Sequence, residues 1–103
     1  MPYKTGTELV DEARARIREI SAADVKAMIE RGEPAIYLDV REPNEWNLGH
    51  IPKALHIPRG NLESKVEALV PRDAKVVVYC ARANRSTLAA ATMQAMGYTN
   101  VAS

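Results

Sequence analysis

A chain of 103 residues, with 14 Lys and Arg against 13 Asp and Glu, has room for one hydrophobic core and no net field to draw it to nucleic acid or an anionic membrane. Its single cysteine excludes an internal disulfide or a Cys-x-x-Cys pair, and its two histidines lack the neighbouring carboxylates a metal site needs. No run approaches membrane-spanning length, and Met1 to Glu12 carries Lys4, Glu8, Asp11 and Glu12 where a leader would be apolar, so a reducing cytoplasm is the expected compartment.

Thr7 to Arg18 reads as a helix capped by Thr7, with Leu9, Ala13, Ile17 and Ile20 near helical spacing. It forms an expected N-terminal extension over residues 1–18, ahead of a domain over residues 19–103 that opens with a short strand at Glu19–Ile20. Ser21 caps a second helix, with Asp24 as a weak capping-box partner, and that helix turns Val25, Met28 and Ile29 inward and ends at Gly32. Ala35 to Val40 is an apolar run of the kind found in strands buried on both faces. Asn44 to Lys53 reads as loop, and Leu55–Ile57 as a short strand closed by Pro58. Asn61 to Val70 reads as a helix with Leu62, Val66 and Leu69 on one face, stopped before Pro71. Lys75 to Tyr79 is a second buried strand. Ser86 or Thr87 opens an alanine-rich helix that Gly97 ends, and Asn100–Val101 starts a last strand. This alternation predicts an α/β fold with a mostly parallel central sheet flanked by helices.

Cys80 follows the second buried strand and opens the loop Cys80-Ala81-Arg82-Ala83-Asn84-Arg85-Ser86 before the last helix. At such a junction the first backbone N–H groups of the helix have no partners and favour negative charge. With two arginines beside it, a thiol there ionises more easily than a free one, and the thiolate is the nucleophile. A buried packing cysteine is the bland alternative, but packing does not call for a cationic loop. Sites in parallel sheets also sit at the carboxyl ends of strands, where Cys80 falls.

The loop resembles that of the rhodanese-like sulfurtransferases, Cys-x-x-x-x-Arg followed by Ser or Thr, here Cys80, Arg85 and Ser86. Three further stretches carry the resemblance: Leu38-Asp39-Val40-Arg41-Glu42-Pro43-Asn44-Glu45-Trp46, then Gly49-His50-Ile51-Pro52-Lys53-Ala54 with Ile57-Pro58, and Met96-Gly97-Tyr98-Thr99-Asn100-Val101. Together they span Ile20 to Val101. Ala83 and Lys53 each replace a glycine of the family pattern. Ala83 is expected to cost about 1 kcal/mol if its φ is positive, while Lys53 is expected to be tolerated. Family domains usually continue past Val101 into a terminal helix, so the domain looks C-terminally short. The Leu9–Ala13–Ile17 face of the first helix is the expected cover for the resulting gap, on this domain or on a second copy.

The resemblance implies a thiosulfate-type sulfurtransferase without metal or organic cofactor. Cys80 would become a persulfide and pass its outer sulfur to cyanide, a small thiol or a thiol protein. The loop residues Ala81, Arg82, Ala83, Asn84, Arg85 and Ser86 would bind substrate. Arg82 is the candidate to meet an anionic donor, and Arg85 to brace the loop against Asp39 or Glu45. Asp39 reads as structural, Arg41 as a rim or solvated arginine, and His50 as loop packing rather than a base. Trp46 reads as an apolar plug, and Ser86 and Thr87 as helix caps. Two rivals remain. A persulfide carrier or sulfur sensor acting on a protein partner needs the same loop. Cysteine-dependent phosphatases and arsenate reductases place five residues between Cys and Arg, whereas this loop has four and makes a smaller ring of N–H groups. Oligomeric state is left open by the sequence.

Overall fold

The computed structural model describes residues 3–103. Among them are four short strands, β1 (Ile36–Asp39), β2 (Leu55–His56), β3 (Val76–Tyr79) and β4 (Val101–Ala102). They form one parallel sheet in the order β2-β1-β3-β4. Pairing of Asp39 with Tyr79 sets β1 and β3 in register, so Val40 and Cys80 leave the sheet side by side at its carboxyl edge.

The helices are α1 (Gly6–Arg16), α2 (Ala22–Glu30), α3 (Pro43–Leu48), α4 (Leu62–Leu69) and α5 (Asn84–Ala95). Because strand side chains alternate, Leu38, Val76, Val78 and Val101 face one way, packing with Leu62, Val66, Ala89, Ala90 and Met93 of α4 and α5. Val77 and Tyr79 face the other way, toward α2. Leu69, expected inward, is 52 % exposed, because Leu62, Val66 and Val70 form the buried stripe and Leu69 falls at its edge.

Several boundaries differ from the sequence reading. Thr5 caps α1, not Thr7: the Glu8 N–H donates to Thr5 Oγ1 at 3.1 Å and the Thr5 N–H to Glu8 Oε1 at 3.2 Å. That reciprocal pair needs Glu three residues after the Thr, which Thr5 has and Thr7 lacks. The expected loop over 44–53 contains α3, because Pro43 presets its first turn and Glu45 Oε1 accepts from the Glu42 N–H at 3.0 Å. In place of a strand at Glu19–Ile20, a single parallel bridge joins Arg18 to Ala102, flanked by Ile20 N–H to Ser103 O (2.8 Å) and Ser103 N–H to Arg18 O (3.0 Å). Ser21 caps α2 through the Asp24 N–H at 3.0 Å.

The first helix also lies elsewhere than expected. It packs on α5 through Ala13, which is 1 % exposed, while Leu9 is half exposed. It therefore thickens the face already covered by α4 and α5. The Val77–Tyr79 face keeps an open cleft instead.

Candidate active site

The cleft has a volume of about 740 Å³. Val77 and Tyr79 floor it, Val25 and Ile29 of α2 wall it, and Cys80 with Ala81, Arg82, Ala83 and Ser86 closes one end. Lys26 and Glu30 sit on the α2 side, and Ser103 on the β4 side. Cys80 is partly exposed, so its sulfur is reachable from this space.

The loop folds around the sulfur. The Ser86 N–H donates to Cys80 Sγ at 3.3 Å, and the backbone N–H groups of Arg82 and Ala83 lie near enough to favour a negative sulfur. Burial opposes ionisation of the thiol, but these donors and the Ser86 hydroxyl outweigh it and bring the Cys80 pKa below its ordinary value. Ala83 holds the turn at φ +66° and serves as the N-cap of α5. The helix thus starts at Asn84, earlier than Ser86 or Thr87, because the left-handed Ala83 lets the next residue enter helical geometry directly. Ser86 lies inside the first turn, its Oγ donating to the Ala83 carbonyl at 3.2 Å. Lys53 is also left-handed, at φ +66°. Both non-glycine residues in that region stand where the family pattern has glycine, so Lys53 carries the same kind of strain as Ala83.

The two loop arginines separate. Arg85 turns away from the cleft and forms a two-pronged pair with Glu45 of α3, at 2.7 and 3.0 Å. That pairing pulls the Glu45 carboxyl down to about 2. Arg82 is exposed, lines the cleft and makes no side-chain ion pair or hydrogen bond among the described residues. Asn84, expected at the site, does not line the cleft.

Next door, Asp39 is fully buried and held chiefly by Arg41, with the Tyr79 hydroxyl beside it. The Arg41 backbone N–H donates to Oδ1 at 2.9 Å, and its guanidinium reaches the carboxylate at 2.7 and 3.0 Å. Burial resists the charge, yet these bonds prevail and lower the Asp39 pKa. Arg41 also donates to the Gly49 carbonyl at 2.7 Å, so it is committed and does not reach the rim of the cleft. His50 stacks on Trp46 with ring centroids 3.4 Å apart, and its Nδ1 lies 2.9 Å from the Trp46 carbonyl. His56 stacks on Trp46 as well, at 4.6 Å. Two rings at those offsets do not fit on one side of the indole, so Trp46 is clamped between the histidines, and it does not border the cleft.

Sequence reasoning missed the apolar walls of the cleft and Ser103, whose Oγ donates to Ser86 Oγ at 2.8 Å. The rule that sites gather at the carboxyl ends of parallel strands would have pointed to Ser103, one residue past β4. No group of three or more His, Cys, Asp or Glu is placed to hold a metal ion among the described residues.

Comparison with known proteins converges on one family. The Rhodanese-like domain model matches residues 21–103. "Putative sulfur carrier protein YrkF" of Bacillus subtilis (strain 168) is 35% identical over 95% of this chain, which spans 52% of that protein's length. "Putative sulfurtransferase YtwF" of the same organism is 36% identical, with 82% of each chain covered. A solved structure from Rhodopseudomonas palustris CGA009, described as of unknown function and a "possible tyrosine phosphatase", superposes with a TM-score of 0.87 at 34% identity, covering 99% of this chain and 86% of that one. The match of the family model to the whole sheet and its cysteine loop shows that the chain belongs to the rhodanese-like domain family.

Proposed function

We propose that this domain is a thiosulfate-type sulfurtransferase working through a persulfide on Cys80, in a reducing cytoplasm. The observation that carries the reading is the ring of loop N–H groups directed at a reachable, acid-shifted sulfur. The Cys80 thiolate attacks the outer sulfur of thiosulfate, forming a Cys80 S–S bond as the S–S bond of the donor breaks and sulfite leaves. Cyanide or a thiolate then attacks the outer sulfur, the new S–S bond breaks, and the Cys80 thiolate returns. The order is ping-pong. A thiolate needs no general base, and the loop donors favour that form of Cys80. Arg82 meets the anionic donor at the cleft mouth, and the N–H nest holds the terminal persulfide sulfur.

Two observations favour sulfur transfer over phosphatase chemistry. Four residues separate Cys80 from Arg85, and the Arg85 guanidinium is already taken by Glu45 and so is not free to grip a phosphoryl group. The volume and apolar walls of the cleft favour a second reading, transfer to a thiol of a protein partner, in keeping with a relative named as a sulfur carrier.

Incubation with thiosulfate should add one sulfur atom to the intact mass, and cyanide should remove it as thiocyanate. An adduct of the same size on Cys80→Ser would defeat the assignment. Aryl phosphates should turn over far more slowly than sulfur. Turnover with cyanide and small thiols identifies the enzyme, whereas discharge to a protein thiol alone identifies the carrier.

A further inference from the structure

Ser86 is 2 % exposed, so water does not replace a partner that its hydroxyl loses. Three groups surround its Oγ: Cys80 Sγ at 3.5 Å, the Ala83 carbonyl at 3.2 Å and Ser103 Oγ at 2.8 Å. With Cys80 as a thiol, the S–H and the Ser103 hydroxyl both donate to Ser86 Oγ, and the Ser86 proton goes to Ala83. Ionisation sends the thiol proton to solvent and removes one of those two donors. The Ser86 hydroxyl is then free to turn its own proton from Ala83 to the thiolate. Ser103 is left as the sole donor to a buried oxygen.

We propose that Ser103 is a positioning residue for the Cys80 thiolate, supplying the hydrogen bond to Ser86 that the sulfur withdraws when it ionises. The proposal rests on Cys80 being the reactive thiol. Ser103 is held for this task by the backbone: its N–H donates to the Arg18 carbonyl at 3.0 Å and its carbonyl accepts from the Ile20 N–H at 2.8 Å. Ser103 lines the same cleft as Cys80. Without that hydroxyl the Ser86 oxygen has a donor in the thiol form and none in the thiolate form. An unsatisfied buried acceptor is costly, so the thiol is favoured. The charged groups around the sulfur are Arg82 in the loop, Arg85 with its partner Glu45, and Lys26 and Glu30 across the cleft. Substitution at Ser103 alters none of them.

The test is the pH dependence of Cys80 alkylation by iodoacetamide, a neutral reagent, measured without any sulfur donor. Ser103→Ala should move the midpoint upward and slow alkylation below it by about three- to tenfold. Ser103→Thr should restore the parent profile and Ser103→Val should not, a pair that isolates the hydroxyl at constant shape. In a Ser86→Ala background, Ser103→Ala should shift nothing further. An unchanged midpoint in Ser103→Ala, equal shifts in the Thr and Val variants, or a full shift without Ser86 would each overturn the proposal. Because alkylation needs no sulfur donor, failure of sulfur loading would sink the functional reading and leave this result standing.

Discussion

β1 and β3 run in register and release their chains at the same edge of the sheet, yet the two junctions use their polar groups in opposite ways. After β1, Arg41 Nε and Nη2 bind the Asp39 carboxylate, and Nη2 also donates to the Gly49 carbonyl. The Asp39 charge and most of the Arg41 fork are spent within the fold. After β3, the loop aims its N–H groups at a single sulfur, and Arg82 stands over the cleft with its charge uncommitted. A junction whose charges pair with each other fixes the scaffold. An unsaturated one beside it is where binding energy is available.

The sharpest way to break this contrast is Asp39→Ala. It strands Arg41, 17 % exposed, beside an apolar strand end. Removing one partner of a buried pair should cost about 3 kcal/mol, lowering the melting temperature by more than about 10 °C in a domain of this size. A variant that melts with the parent would show that the β1 junction does not fix the scaffold.

Arg85→Ala should have a smaller effect on stability and a clear one on turnover. It cuts the two-pronged tie between the start of α5 and α3, so the nest should shift and kcat fall roughly tenfold to a hundredfold. The pH dependence has a definite sign. Glu45 is held at about 2 in the folded protein, so its contribution to stability is fully present above the ordinary carboxylate value of 4.5 and is lost as the pH falls toward about 2. The melting-temperature gap between parent and Arg85→Ala should therefore close across that window.

Two glycine substitutions sharpen the comparison further. Lys53→Gly and Ala83→Gly each relieve a left-handed residue and should each gain about 1 kcal/mol before the flexibility of glycine in the unfolded chain is subtracted. Only Ala83→Gly, inside the nest, should also change the kinetics of sulfur loading. Equal kinetic effects from both would show that loop strain at Ala83 has no bearing on the site.

The smallest stability effect is expected for Arg82→Ala, within about 0.5 kcal/mol because the side chain is exposed. Its effect should fall on the KM for an anionic donor, with kcat little changed. Loss of stability from Arg82→Ala, with unaltered KM, would exchange the roles of the two arginines.

Much of this was legible along the chain because it depends on short-range rules. Val76-Val77-Val78-Tyr79 is too apolar and β-branched to be anything but a buried strand, and Ala89, Ala90 and Met93 recur at helical spacing. A strand, a polar loop and a helix in succession place Cys80 at the mouth of the sheet whatever the rest of the fold does. The capping pairs Thr5–Glu8 and Glu42–Glu45 are equally local, each joining residues three apart.

Other features depend on residues far apart in sequence, and no local pattern encodes them. Arg85 had two carboxylates to choose from, and only the position of α3 decides for Glu45. Arg41 looked free because its bonds to Asp39 and Gly49 exist only once the chain after β1 has turned back. Docking of α1 on α5, rather than over the open face, follows from the closeness that Ala13 permits. Ser103 meets Ser86 because β4 lies parallel to β3. The sequence by itself determined most of the elements and the place of Cys80 at the mouth of the sheet, through propensity and burial. Tertiary structure alone decided which charges are spent on each other and which are left facing the cleft, because ion pairs form between side chains that distance in the chain does not constrain.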